Sequence, residues 1–151
     1  MDPIGIIVSA LASGAAAGLK PAAEKVIKDA YAGLKSMIRR KYNSVDLIPI
    51  EKKPESQSKR ESVAEDLADA GASADQELLH LAKILIDAVA KHDNATAAEV
   101  GVDLEEVKAA YLNIKKVTST GAGVKVKKGD FEGGIDIGEV SAGKLGDPSN
   151  P

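Results

Sequence analysis

The side chains best suited to chemistry are scarce in this chain. It contains two histidines and no cysteine, so disulfides, thiolate nucleophiles and cysteine metal sites are excluded. His80 lies in "LLHLAK" at the edge of an apolar stripe, and His92 lies at the end of a predicted helix. The two histidines do not complete a zinc signature with the carboxylates around them. We expect both histidines to be structural or solvated.

Two glycine-containing stretches near the C-terminus also fall short of known binding motifs. "GAGVKVKKG" is basic but lacks the G-x-x-x-x-G-K-[ST] spacing of a phosphate-binding loop. "DFEGGIDIGE" is acidic but lacks the spacing of a calcium-binding EF-hand. With no nucleophile–base pair and no metal set, the sequence predicts a protein that is not an enzyme and needs no cofactor.

Composition favours helices and argues against nucleic-acid binding. The 151 residues are 44% hydrophobic but only 3% aromatic, and the net charge is -3. The core must therefore consist of Ala, Val, Ile and Leu, and no global basic field attracts nucleic acid. The basic run Arg39-Arg40-Lys41 suits the negative end of a helix dipole, although it could also contact phosphate or lipid headgroups.

The first helix is predicted over residues 3–18. Asp2 is a helix N-cap and Pro3 suits the first helical position. Apolar residues then recur at i, i+3, i+4 and i+7, and Gly18 lies near the end. Small residues recur every four positions, which permits close helix–helix contact in protein or in lipid: Ala10, Gly14 and Gly18, and Ser9, Ser13 and Ala17.

Further helices complete a predicted bundle over residues 1–92. A second helix is expected from Lys20-Pro21 to about residue 40, followed by a loop over 42–58. A short helix then ends at Gly71, and an S-A-D-Q capping box at Ser73 and Gln76 starts the next one. That helix is apolar over more than half its circumference, which predicts that it lies at the centre of the bundle.

After a linker over 93–101, the pattern changes to alternating apolar residues bounded by glycines. We predict a β-rich, solenoid-like module over 102–143 and a flexible tail over 144–151. The residues predicted to form the core of the β-stack are Val102, Leu104, Leu112, Ile114, Val124, Val126, Phe131, Ile135, Ile137 and Val140.

Two units of this module, about 102–120 and 124–143, align so that opposite charges face each other. Such pairs attract across strands roughly 4.8 Å apart. The predicted inter-rung pairs are Asp103 with Lys125, Glu105 with Lys127, Glu106 with Lys128, and Lys116 with Glu139. The segment 102–117 also fits a helix, with Asp103 and Glu106 as a capping box, so both interpretations stay open there.

The uncharged N-terminal segment fits neither a signal peptide nor a membrane-spanning helix. Asp2 takes the place of a positive start, and the run from Pro3 to Leu19 is short and rich in Gly, Ser and Ala. We therefore expect a cytoplasmic protein. The segment contains no charged side chain, so it is compatible with a protein core and with lipid.

The stretch "MDPIGIIVSALASGAAAGLKPAAEKVIKDAYAGLK", with "LADAGASADQELLHLAKIL", resembles the bacterial Bell domains, counterparts of the fungal HeLo and HeLo-like cell-death domains. The resemblance covers roughly residues 1–92. It implies an all-helical domain whose N-terminal helix is released to permeabilise a membrane. It also implies a C-terminal amyloid motif templated by a nucleotide-binding receptor. The two C-terminal units resemble the two-rung β-solenoid of the fungal HET-s prion in layout.

Together these features predict a non-enzymatic effector of bacterial immunity or regulated cell death. The C-terminal β segment would drive self-assembly into an oligomer or fibril, and the protein would associate with membrane on activation. The residues predicted to engage the membrane are Ile4, Ile6, Ile7, Val8 and Leu11. The alternative is an oligomeric adaptor or scaffold whose N-terminal helix never leaves the core and whose β edges pair with a partner or with other copies. Whether the β segment forms amyloid or a stable folded cap stays open.

Overall fold

A computed structural model describes the backbone of residues 1–124 and the side chains through residue 117. Met1–Tyr111 form one compact helical unit. Within the described backbone all regular structure is helical, which confirms the predicted helical bundle. The helices are α1 (Pro3–Gly18), α2 (Lys25–Lys41), α3 (Ile48–Lys52), α4 (Gln57–Asp69), α5 (Gln76–His92), α6 (Asn94–Glu99) and α7 (Leu104–Val124).

Helix α1 has the predicted bounds, and its predicted cap is confirmed. The Asp2 carboxylate accepts a hydrogen bond from the Gly5 amide at 2.8 Å, and Pro3 occupies the first turn. Residues 3–18 are buried except for Pro3, Gly5, Ser9 and Ala16, which are partly exposed. The side of the helix that reaches solvent is therefore narrow and made of small residues.

The centre of the bundle is α1, which packs against α2, α3, α4, α5 and α6. The prediction that α5 is the central helix is wrong in this respect. Helix α5 packs against α1, α2 and α6, and it keeps one side in solvent, where Ile84 is 42% exposed. The helix with a wide apolar stripe thus keeps a broad side in solvent, whereas the helix without any charge is buried over most of its surface.

Several local boundaries differ from the predicted ones. Residues 19–24 form a turn, so α2 begins at Lys25 rather than directly after Pro21. The predicted loop over 42–58 contains the short helix α3. Gly71 ends the α4 region in the left-handed conformation, with φ of 85°, as predicted. The cap of α5 is Asp75, whose carboxylate accepts from the Leu78 amide, and not Ser73.

The strand prediction for 102–117 is wrong, and the helical alternative is confirmed. The Asp103 carboxylate accepts from the Glu105 and Glu106 amides at 3.1 and 3.2 Å and so caps α7. The acidic first turn also favours a helix N-terminus. Leu104 and Val107 are 2% and 1% exposed. A helix places these two residues, at i and i+3, on one side against the bundle, whereas a strand would point them to opposite faces.

The domain boundaries shift accordingly. Residues 93–101, predicted as a linker, contain α6, and the helical unit extends to Tyr111 rather than ending at 92. Of the predicted β-stack core, Val102 is buried in this unit, and Leu104, Leu112, Ile114 and Val124 lie on α7. The remaining positions, Val126, Phe131, Ile135, Ile137 and Val140, lie outside the described residues.

The predicted register of opposite charges is divided in the same way. Asp103, Glu105, Glu106 and Lys116 belong to the cap and body of α7, so their half of the register is helical in this structure. Their predicted partners Lys125, Lys127, Lys128 and Glu139 lie outside the described residues, as do the β module from 125 to 143 and the tail over 144–151.

Candidate functional site

Helix α1 and the side chains that surround it are the candidate functional site. The five residues predicted to engage a membrane, Ile4, Ile6, Ile7, Val8 and Leu11, are each at most 6% exposed. The structure therefore brings all five into the core of the bundle. In this conformation none of them is available to a membrane.

The small residues of α1 allow its neighbours to approach its backbone closely. A Cβ atom placed on Gly14 would lie 2.5 Å from Leu85 Cδ2, so the Leu85 side chain rests directly against this turn of α1. A Cβ on Gly18 would lie 3.3 Å from Ile27 Cγ2 of α2. The spacing of small residues every four positions thus marks the contact with α5 and α2.

Ser13 is the one polar side chain of α1 that is fully buried. Its hydroxyl donates to the Ser9 carbonyl at 2.9 Å, a bond to the preceding helical turn. Because the acceptor belongs to the same helix, this bond does not depend on any partner in the bundle. Helix α1 therefore satisfies its own buried hydroxyl in protein or in lipid.

The chain that follows α1 is fastened to α6 by a polar cluster. Lys20 Nζ hydrogen-bonds to the Thr96 hydroxyl and lies 3.4 Å from Asp93 Oδ2. The Thr96 hydroxyl in turn donates to Asp93 at 2.8 Å. The hydrogen bonds from Thr96 and Lys20 lower the pKa of the Asp93 carboxyl. This cluster joins residues 73 positions apart in the chain, so no local pattern could predict it.

A second polar cluster joins the end of α2 to the start of α5. The Tyr42 hydroxyl donates to Asp75 at 2.6 Å, and Lys41 Nζ lies 3.2 Å from Asp75 and 3.0 Å from Glu77. The hydrogen bond to Asp75 raises the pKa of the Tyr42 hydroxyl. The basic end of α2 was predicted, but its acidic partners lie over thirty residues away.

A third polar cluster joins α2 to α3. The Tyr31 hydroxyl donates to Glu51 Oε2 at 2.6 Å, and Lys35 Nζ lies 2.8 Å from the same oxygen. Burial, together with the hydrogen bond to Glu51, raises the pKa of the Tyr31 hydroxyl. Since α2 and α3 both pack against α1, the cluster holds two of the helices that enclose it.

The described residues show no metal-binding cluster, and one of their cavities has a lining of mixed charge. Within them no group of three His, Cys, Asp or Glu side chains could hold a metal ion, and His80 and His92 are both exposed. A cavity of about 240 Å³ is lined by Lys35, Arg39, Asp46 and Glu51 with aliphatic side chains. Its two cations are matched by two carboxylates, so its lining does not select a charged ligand.

The helices in the described part of the chain differ from membrane-spanning helices in length or in polarity. None of them is both long enough and apolar enough to cross a membrane. Helix α1 has 16 residues, which at 1.5 Å per residue is about 24 Å. The hydrocarbon core of a bilayer is about 30 Å thick.

Comparison with known proteins places the chain in a family. No curated protein and no solved structure matches it. The model of the Het-E N-terminal domain family matches residues 1–144, a range that includes the whole helical unit. The resemblance to the bacterial Bell domains over 1–92 stays a prediction. Because the match covers nearly the whole sequence, the chain belongs to the Het-E N-terminal domain family, a family of HeLo-like cell-death domains.

Proposed function

We propose that this protein is a non-enzymatic effector of regulated cell death, in which α1 leaves the bundle and permeabilises a membrane. Assembly through the C-terminal segment would trigger the release. The observation that carries the proposal is that an uncharged helix, with twelve of its sixteen residues buried, lies at the centre of the bundle. Family membership supports the cell-death role.

Release of α1 from the bundle costs a large free energy, and burial of the same side chains in lipid could offset this cost. Burying each large aliphatic side chain contributes about 1.5–3 kcal/mol, so the five residues named above contribute on the order of 10 kcal/mol. A domain of this size has a total stability of about 5–15 kcal/mol. Exposure of α1 to water would therefore unfold the unit, whereas transfer to hydrocarbon would bury the same surface again.

The length of α1 favours action by several copies. A helix shorter than the hydrocarbon core must thin the bilayer or associate with others. The row of Ala10, Gly14 and Gly18 would permit such association, because small residues let helix backbones approach in lipid. The proposal thus requires self-assembly before permeabilisation.

The role of the C-terminal segment rests on the sequence pattern. Val126, Ile135, Ile137 and Val140 retain the alternation typical of strands. A two-rung stack using 102–120 as its first rung would require α7 to change from helix to strand. The proposal includes assembly of the protein through this segment and storage of the inactive protein in the cytoplasm. It also includes a role in bacterial immunity and a partner receptor that binds a nucleotide.

A disulfide between α1 and α5 tests whether α1 must leave. The chain has no cysteine, so Gly14→Cys with Leu85→Cys would introduce a unique pair where the Leu85 side chain now rests against Gly14. The oxidised double variant should leave dye-filled phospholipid vesicles intact, because α1 is tethered. The same protein after reduction should release the dye.

Leu85→Cys alone controls for the lost leucine, and the mass of the oxidised chain verifies the disulfide. Equal leakage by the oxidised and reduced double variant would show that α1 acts without leaving α5. If neither the reduced variant nor the unaltered chain releases the dye, the proposed membrane function is wrong.

The second candidate is an oligomeric adaptor or scaffold with α1 permanently in the core. The central position of α1, packed against five other helices, favours it, since the unit cannot keep its core without this helix. Intact vesicles together with C-terminal self-assembly of the unaltered chain would support this function.

A further inference from the structure

Two exposed helix faces of opposite charge lie on the helical unit. Each lies on the side of its helix away from the buried residues. The basic face of α2 consists of Lys28, Ser36, Arg39 and Arg40 and also holds the Lys25–Asp29 ion pair. The acidic face of α4 consists of Glu61, Ser62, Glu65, Asp66 and Asp69.

The charges on both faces lack ion-pair partners among the described side chains. Lys25, Lys35 and Lys41 of α2 each form an ion pair, whereas Lys28, Arg39 and Arg40 form none there. The same holds for the four carboxylates of the acidic face. These charges therefore have no ion pair in one copy, although Arg39 lines the same cavity as Asp46 and Glu51, and Glu61 accepts a hydrogen bond from Gln57.

The acidic face is unfavourable for α4 itself. Glu61, Glu65 and Asp69 follow one another at i, i+4 spacing, where like charges destabilise a helix. Asp66 and Asp69 also lie near the C-terminus of α4, where the helix dipole disfavours anions. The local structure of α4 thus gives no reason for this row, whereas a complementary basic surface would.

One copy of the chain cannot bring its two faces together. Helix α1 packs against both α2 and α4 and lies between them, and no extensive packing joins α2 to α4 among the described residues. A contact between the basic face of one copy and the acidic face of the next joins two different surfaces. Such head-to-tail contacts can continue from copy to copy.

We propose that the basic face of α2 docks onto the acidic face of α4 in a second copy of this chain. At 1.5 Å per residue the charged rows extend about 18 Å on α2 and about 12 Å on α4, so the rows can overlap along most of the shorter one. An anionic bilayer is the other candidate for the basic face. The net charge of -3 and the acidic row disfavour approach to such a surface.

The contact goes beyond assembly through the C-terminal segment, because it concerns the helical unit alone. Exposed ion pairs are individually weak, so the contact should form when copies are already concentrated, for example by that segment. Its role would then be to set the register between neighbouring bundles. Salt should weaken it.

Cysteine cross-linking of the full chain tests the contact, because the chain has no cysteine of its own. Ser36→Cys places a thiol on the basic face and Ser62→Cys places one on the acidic face. Mixed and mildly oxidised, the two variants should form a disulfide-linked dimer several-fold more abundantly than either variant alone. The yield should fall in about 0.5 M salt, where the screening length is only a few ångströms.

Charge reversal sharpens the test. Arg39→Glu in the Ser36→Cys chain should reduce the dimer yield, and Glu65→Arg in the Ser62→Cys chain should restore it. Lys91→Glu makes the same change of net charge on α5, away from both faces, and should leave the yield unchanged. A mixture that cross-links no more than the separate variants overturns the proposal. So does protection of the Ser36→Cys thiol by anionic vesicles without any cross-link, which would assign the basic face to a bilayer.

Discussion

Helices α1 and α5 are nearly equal in length and pack against each other, but they differ in how they relate to water. Helix α5 carries a Lys83–Asp87 ion pair of 2.8 Å and ends in Lys91 and His92. Helix α1 carries no charged residue at all. Both contribute large aliphatic side chains to the same core.

This difference determines what each helix can do outside the bundle. Transfer of α5 to lipid would desolvate its charges, which is costly. Helix α1 has only Ser9 and Ser13 as polar side chains; Ser13 is already buried and bonds to its own helix, so transfer would desolvate only Ser9 further. Helix α5 is thus restricted to the boundary between core and water, whereas α1 is suited to any apolar environment.

The largest effect that would test this comparison comes from one charge placed on each helix. Ile7 of α1 is fully buried and Ile84 of α5 is 42% exposed. Ile7→Asp should destabilise the fold by at least about 4 kcal/mol, since it buries an unpaired carboxylate. Ile84→Asp should cost less than about 1 kcal/mol.

Urea unfolding followed by circular dichroism measures both losses. Similar losses for the two variants would mean that α1 is no more enclosed than α5, and the comparison would fail.

The features of α1 were predictable because its signals are local and agree. Asp2 and Pro3 mark its start, the apolar period runs without a charge, and Gly18 marks its end. Its position at the centre was not predicted, because the sequence of α5 shows the wider apolar stripe. Burial over most of a helix surface depends on how many other helices surround the segment, which its own residues do not specify.

The segment 102–117 shows the opposite case. Val102-x-Leu104 and Leu112-x-Ile114 fit the period of a strand, whereas Leu104, Val107, Tyr111 and Ile114 fit one face of a helix. The helix prevails because Asp103 caps it and Leu104 with Val107 find a place in the core. Burial of Leu104 and Val107 depends on tertiary packing, which sequence periodicity does not predict.

The polar clusters around α1 were not predictable for a related reason. Lys20 meets Asp93, and Tyr42 meets Asp75, only after the helices have packed. Lys, Tyr and Asp are frequent on any surface, so nothing in the sequence distinguishes these pairs.

A smaller effect sharpens the comparison at the contact between the two helices. Leu85→Ala should cost about 3 kcal/mol, because a fully buried leucine leaves a cavity. Gly14→Ala alone should be unfavourable, since the new methyl group would lie 2.5 Å from Leu85 Cδ2. In the Leu85→Ala chain the same methyl group should be stabilising, because the space is free and alanine is the better helix former.

The two single variants and the double variant form a thermodynamic cycle with an expected coupling of at least about 1 kcal/mol. Additive losses would show that Leu85 does not rest against Gly14.

The caps of the two helices provide a still smaller comparison. Asp2→Ala should cost about 0.5–1 kcal/mol, as an exposed N-cap usually does. Asp75→Ala should cost about 2 kcal/mol, because it also removes the acceptor of the Tyr42 hydroxyl and a partner of Lys41. Thermal unfolding of the two variants checks the order, and an equal loss would mean that the Tyr42 contact contributes nothing.

The contribution of Asp75 should also depend on pH. Burial alone would raise the pKa of its carboxyl, but the hydrogen bonds from Tyr42, the Leu78 amide and Lys41 together lower it. Because the pKa in the fold lies below the unfolded value of about 3.9, the stabilisation is complete above that pH and is lost as pH falls through the folded pKa.

The variant Asp75→Asn tests this pH dependence, because it keeps a capping oxygen but has no proton to bind. The difference in urea midpoint between the unaltered chain and Asp75→Asn should therefore be constant near neutral pH and shrink below about pH 4. A difference that stays constant down to about pH 3 would contradict a lowered pKa. It would attribute the cap of α5 to hydrogen bonding without charge.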